Sequence, residues 1–205
     1  MRIEELKPSK RVQGRWLVVL EDGSILRVGE GEVIDFALYA GKKLTDEEGK
    51  ALADSARRTG LKEKALDLLT RKPLSRKELE RKLGEREAGE KETASICARM
   101  EELGFLNDVS YAAQVVRHYS AKGYGEHKLR DELYRRGVPR DLWDDALAQA
   151  ADPAQAIDAF VQKKLAGKVP DRKELKKVSD ALMRRGYGWE DISAALRRFG
   201  ADEEG

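Results

Sequence analysis

His118 and His127 are the two histidines of the chain and Cys97 is its one thiol, so proton transfer, metal binding or covalent chemistry would centre on them. His127 has an acidic neighbour in Glu126. Neither histidine stands in a His-x-x-x-His or Glu-x-x-His pair, the spacings that aim two ligands from one helix face. No serine or cysteine has a recognisable nucleophile arrangement around it. The glycines of Gly29-Glu30-Gly31, Gly84 and Gly89 lack the strand–glycines–helix context that cradles phosphate. A single cysteine excludes an internal disulfide and a four-thiolate site, and Cys97 beside Ile96 in a helical pattern reads as core. The reading is of a chain that is not an enzyme and carries no cofactor or metal.

Charge is more informative. The 205 residues are 38% charged and 40% hydrophobic, too polar for one large core and suited to small units with much surface. The net charge of +2 does not argue for nucleic acid, but its distribution is uneven. Residues 163–185 hold nine basic and three acidic residues, a net of +6; residues 62–86 hold nine and five, a net of +4. The candidate contacts to a polyanion or an acidic protein groove are Arg76, Lys77, Arg81 and Lys82, then Lys128, Arg130, Arg135 and Arg136, then Lys163, Lys164, Lys173, Lys176, Lys177, Arg184 and Arg185. The competing reading is a solvated face interleaved with acids such as Glu78, Glu80, Asp131 and Glu132. Tyr119, Tyr124 and Tyr187 could stack on bases, or pack in cores and seams.

The elements that would position these residues follow from periodicity. Residues 1–10 read as polar and loose. Strands over 11–20 and 24–28 flank Asp22-Gly23, a two-residue hairpin signal that places Leu20 opposite Ile25 and Val18 opposite Arg27. A helix over 31–40 ends at Gly41; Thr45 and Glu48 form a capping box for a helix to Thr59, which Gly60 closes. Residues 30–54 carry a net of −4. From Lys62 a three-helix pattern recurs. Middle helices carry Leu79 and Leu83, Leu129 and Leu133, then Val178 and Leu182. Leu133, Gly137, Trp143 and Leu147 align with Leu182, Gly186, Ile192 and Leu196 at one constant offset, and Arg135-Arg136-Gly137 repeats as Arg184-Arg185-Gly186. Between the first two copies, Leu103-Gly104-Phe105-Leu106-Asn107-Asp108 is a helix stop and start: Gly104 left-handed, Asn107 or Asp108 a cap, Phe105 and Leu106 plugging the seam. The expected fold is mainly α: tandem three-helix repeats in an elongated, curved array, after a small β-hairpin-plus-helices module. The expected divisions are 1–60, 61–107, 108–151 and 152–200, with a 201–205 tail. No signal peptide or apolar run of about 20 residues is present, which points to a soluble, cytoplasmic protein.

The joint at 103–108 with Tyr111-Ala112, the Gly123-Tyr124-Gly125, Leu129, Glu132-Leu133, Gly137-Val138 block, and the Ala65–Leu69 helix followed by Ser75, Glu78 and Leu79 resemble the RecX family of bacterial regulatory proteins. The resemblance covers about 65–199 and leaves the N-terminal module outside. It implies a partner, the RecA recombinase filament, with the chain lying in the groove of the RecA–DNA filament and inhibiting recombinase, ATPase and coprotease activity. Weak, non-specific contact with single- or double-stranded DNA and a monomeric state belong to the same expectation. The alternative is a DNA-binding protein of the helix-turn-helix type, and a third possibility is a scaffold whose charges only solvate it.

Overall fold

A computed structural model describes residues 1–86, 88–165 and 171–199. The tail assigned to 201–205 lies outside the described residues. Two compact units are present: Met1–Lys72 with Leu79–Phe105, and Pro73–Glu78 with Leu106 onward.

The first unit opens with a three-stranded antiparallel sheet in the order β1 (Ile3–Pro8), β2 (Arg15–Leu20), β3 (Ile25–Gly29). The opening residues are therefore a strand, not a loose segment. Their polar pattern is that of an edge strand: Ile3 is buried while Glu4, Glu5 and Lys7 stay in water, and residues 41–44 cover only the first end of the outer edge, through Ile3 N–H to Lys42 O (2.9 Å) and Leu44 N–H to Met1 O (2.8 Å). The hairpin register is also one residue from that expected, with Val18 opposite Leu26 and Leu17 opposite Arg27. Leu20 N–H donates to Ser24 O, so the loop is Glu21-Asp22-Gly23, and Gly23 alone takes positive φ (+80°). A three-residue loop with glycine in the left-handed position accommodates the same Asp-Gly pair. The shift puts Val18, Leu20 and Val28 into one core with Ile3, Leu38, Leu44, Leu52 and Ala56, and leaves Ile25 outside.

Helix α1 (Glu30–Asp35) is shorter than expected because Ala37 turns left-handed (φ +43°), and Leu38 N–H reaches back to Val33 O at 2.9 Å. Glu32 from α1 accepts from Gly29 N–H at 2.9 Å and from the hydroxyls of Ser55 and Thr59. Burial pushes its pKa up, but those hydrogen bonds outweigh it and hold the carboxyl below its ordinary value. Helix α2 (Asp46–Arg71) has the Thr45–Glu48 capping box but does not stop at Gly60. The buried positions Leu52, Ala56, Leu61 and Ala65 carry one apolar stripe across the glycine, and tertiary packing outweighs the roughly 1 kcal/mol that a helical glycine costs. Helix α4 (Glu90–Glu102) packs against α2 and buries Ile96, Cys97 and Met100. At its end Leu103 and Phe105 are 46% and 50% exposed, so Phe105 is not the plug expected of it, while Leu106 is buried at 2% exposure.

Helix α3 (Arg76–Gly84) begins in the second unit and ends in the first. The second unit otherwise holds two three-helix cores. One is α5 (Asp108–Ala121), α6 (Glu126–Arg135) and α7 (Trp143–Leu147), α7 preceded by a 3-10 turn, around Val116, Leu129, Leu133 and Trp143. The other is α8 (Pro153–Leu165), α9 (Arg172–Arg184) and α10 (Trp189–Arg198), around Ile157, Val161, Leu182 and Ile192. The architecture is mainly α, with ten α-helices among the described residues and a small N-terminal sheet.

Candidate interaction surface

The middle helices of the first two copies, α3 and α6, each begin under the Arg-Arg-Gly turn of the next copy. A helix leaves its first N–H groups unpaired, and a buried start must find acceptors for them. At the start of α6, Gly125 N–H donates to Arg185 O (2.9 Å) and His127 N–H to Gly186 O (3.1 Å). At the start of α3, Ser75 Oγ donates to Arg136 O and accepts from Glu78 N–H (3.0 Å), while Asp108 Oδ1 accepts from Arg76 N–H (2.8 Å). So Asn107 caps α5 through Ser110 N–H (2.8 Å), and Asp108 serves α3. The approach is too close for a side chain: a Cβ on Gly186 would lie 2.5 Å from Lys128 N, and one on Gly137 would lie 2.6 Å from Lys77 Cβ. The letter-for-letter repeat of Arg-Arg-Gly thus marks a seam between copies.

The second arginine of each run works inside that seam. Arg136 donates to the hydroxyls of Tyr111 (2.8 Å) and Tyr119 (3.1 Å) and lies 3.4 Å from Glu132 and 3.8 Å from Glu78. Tyr111 in turn donates to Glu78 at 2.7 Å. Burial, with Glu78 accepting the hydroxyl proton, pushes the Tyr111 pKa up to about 12. Burial opposes the Arg136 charge, but its hydrogen bonds to the two tyrosines outweigh that and raise its pKa. Arg185 lies 4.6 Å from the Phe160 ring centroid and donates to Gly123 O at 3.4 Å. Tyr119 and Tyr187 belong to the cores; Tyr124 is 36% exposed.

The remaining cations of α6 face acids of their own copy. Arg130 pairs with Glu126 (2.7 Å) and Asp144 (3.5 Å), Arg135 with Glu132 (2.6 Å), and Lys128 stands 3.9 Å from Asp131. Burial works against the Glu132 charge, yet the Arg135 hydrogen bond and both arginine charges hold its pKa low. Arg76 and Lys77 sit at the seam, Arg76 half-buried and Lys77 exposed; Arg81 is exposed and Lys82 half-buried. The third copy differs. On α9, Lys173, Lys176, Lys177 and Arg184 are exposed, and none forms an ion pair among the described residues; on α8, Lys163 is likewise exposed and Lys164 lies 5.8 Å from the Phe160 ring. The largest unneutralised cationic face in this unit is therefore that of α9. Neither exposed histidine joins a group suited to a metal: among the described residues no cluster of three or more histidine, cysteine or carboxylate side chains could hold one. No described helix is long and apolar enough to cross a membrane.

Models described as the first, second and third three-helix domains of RecX match residues 62–100, 107–147 and 151–196. The chain belongs to the RecX family. Among curated proteins, "Regulatory protein RecX" of Streptococcus pneumoniae (strain Hungary19A-6) is 26% identical over 209 residues, spanning 100% of this chain and 80% of that protein. The same protein of strain ATCC 700669 / Spain 23F-1 is 25% identical over 199 residues, 96% of this chain and 76% of that one. Two crystal structures share the fold. One of a regulatory protein RecX superposes with a TM-score of 0.73 at 23% identity, covering 96% of this chain and 98% of that one. RecX from Lactobacillus salivarius gives 0.65 at 22% identity, covering 69% of this chain and 96% of that one. The second matched segment takes in α5 to α7 and the third α8 to α10, while the first runs from within α2 through α3 into α4.

Proposed function

We propose that this chain regulates the RecA recombinase, binding as a cytoplasmic monomer in the groove of the RecA–DNA filament and suppressing ATP hydrolysis, strand exchange and coprotease activity. The observation that carries the proposal is the succession of three RecX domains, matched in order at 62–100, 107–147 and 151–196. Linked modules suit a filament because each further contact is intramolecular once the first has formed, so weak contacts add through effective concentration. A molecule held on successive filament subunits resists the rearrangement that ATP turnover requires, or traps a state that loses subunits. Contact with DNA is weak and sequence-blind, through the exposed cations of α9.

The test adds purified chain to RecA on saturating single-stranded DNA. ATP hydrolysis and strand exchange should slow at well below one molecule per RecA subunit; no effect at equal stoichiometry rejects the proposal. Tight duplex binding with base preference would instead favour a helix-turn-helix DNA-binding protein.

A further inference from the structure

The free edge of β3 borders a groove in the first unit that no part of the regulatory reading uses. Backbone bonds of an antiparallel pair alternate between partner-facing and outward residues. Leu20 N–H bonds Ser24 O, so Val18–Leu26 and Trp16–Val28 are the bonded pairs, and Ile25, Arg27 and Gly29 turn their N–H and C=O groups away from β2. Gly29 confirms the phase, because its N–H points outward to Glu32. Among the described residues no strand pairs with Ile25 and Arg27 on this edge, whereas on the opposite edge residues 41–44 cover the Met1–Ile3 end of β1.

Beside that edge α2 forms the floor of a groove of about 820 Å³. Ile25, 54% exposed, stands on its rim, and Ala53, Ala56 and Leu66 line it. Gly60 lies on the same floor in the middle of a helix, where glycine costs about 1 kcal/mol relative to alanine. No atom within 4 Å would meet a Cβ there, so packing within the chain does not require the glycine; a backbone laid across the floor would. Five basic side chains and two acidic ones line the groove, and Arg27 and Arg86 pair with no acid among the described residues.

We propose that this groove docks an extended, acidic peptide segment of a partner protein, added to β3 as a fourth antiparallel or parallel strand. Outward amides and carbonyls of Ile25 and Arg27 supply main-chain hydrogen bonds, alternate apolar side chains of the peptide face α2, and its carboxylates meet Arg27 and Arg86. The proposal goes beyond RecA regulation and stands or falls independently of it.

The experiment uses the full chain and a fluorescent peptide of about eight residues alternating valine and aspartate, long enough to span β3. Anisotropy should show saturable binding, and hydrogen exchange at the Ile25 and Arg27 amides should slow. Gly60→Leu replaces glycine with a good helix former in open space, so thermal stability should hold or rise while the filled floor weakens binding at least about tenfold. Ile25→Pro, which removes one outward N–H from an edge strand, should weaken it similarly. Unchanged binding and unchanged amide exchange in Gly60→Leu relative to the parent overturn the proposal, as does equal binding of a peptide with the same composition but its valines and aspartates in separate blocks. Single-stranded DNA that protects the same amides and displaces the peptide would also overturn it, assigning the groove to nucleic acid.

Discussion

Arg135 and Arg136 are neighbours in the chain, yet their charges have different settings. Arg135 is 67% exposed on its side chain and meets only Glu132, three residues away, whereas Arg136 is 25% exposed and bonds two tyrosine hydroxyls beside two carboxylates. Exposed pairs of the first kind contribute little after solvent screening and side-chain entropy. Arg136→Ala should lower unfolding stability by about 2–3 kcal/mol, the range for losing hydrogen bonds to a charged group and leaving their partners unsatisfied. Arg135→Ala should stay within about 0.5 kcal/mol, the usual bound for a surface change. Denaturant titrations of both variants check the contrast. Tyr111 gives the network a pH signature. Its pKa is about 12 in the fold, against about 10 in an unfolded chain. A raised pKa means that the folded state keeps the proton longer. The contribution is fully present below pH 10, is lost as pH rises towards 12, and levels off above it, a fall on the order of 2 kcal/mol. Tyr111→Phe should lack that part of the alkaline decline and remove a phenolate signal near pH 12 from the absorbance curve.

At the scale of elements, the seams decide which glycines are indispensable. Gly186 has φ +87° and a Cβ position 2.5 Å from Lys128 N; Gly104 has φ +75° but open space around it. Alanine at 104 should cost about 1–2 kcal/mol, the left-handed penalty alone. Alanine at 186 should add about 1–3 kcal/mol for overpacking against backbone. Thermal melts of the two variants separate the terms, and equal losses would mean that the Gly186 turn relaxes away from α6. The repeat itself was legible in sequence because helical periodicity, glycine stops and the constant offset from Leu133–Leu147 to Leu182–Leu196 all agree. The first strand was not, since an edge strand exposes most of its side chains and lacks the apolar alternation of Arg15–Leu20. Gly60 misled because a glycine ends a helix only if the chain turns there, and Leu61 and Ala65 continue the buried stripe. The hairpin register hung on whether the loop holds two residues or three, which Asp22-Gly23 alone does not decide. In the candidate surface the basic runs were visible, but their neutralisation was not. Arg130 meets Asp144 and Arg136 meets Glu78 across separations that helical periodicity does not connect.

At the scale of the whole molecule, that neutralisation makes the repeats electrostatically unequal. A polyanion releases counterions only to cations not already matched by acids, so α9 should attract DNA more strongly than α6 although basic runs occur on both. A variant with Lys173, Lys176, Lys177 and Arg184 all changed to Gln should lose most of its affinity for single-stranded DNA. Its log–log salt slope should fall by about 3 if each cation meets one phosphate, given about 0.7 per contact on single strands. The matching α6 variant, with Lys128, Arg130 and Arg135 changed to Gln, removes cations already paired with Asp131, Glu126, Asp144 and Glu132, and should leave slope and affinity nearly unchanged. The same two variants should separate in the RecA assay, the α9 variant slowing ATP hydrolysis less than the parent and the α6 variant acting as the parent does. Equal losses in both would show that a partner competes successfully for the α6 arginines, opening their ion pairs on binding. Unchanged behaviour in both would place the contact elsewhere than on the middle helices of the second and third copies.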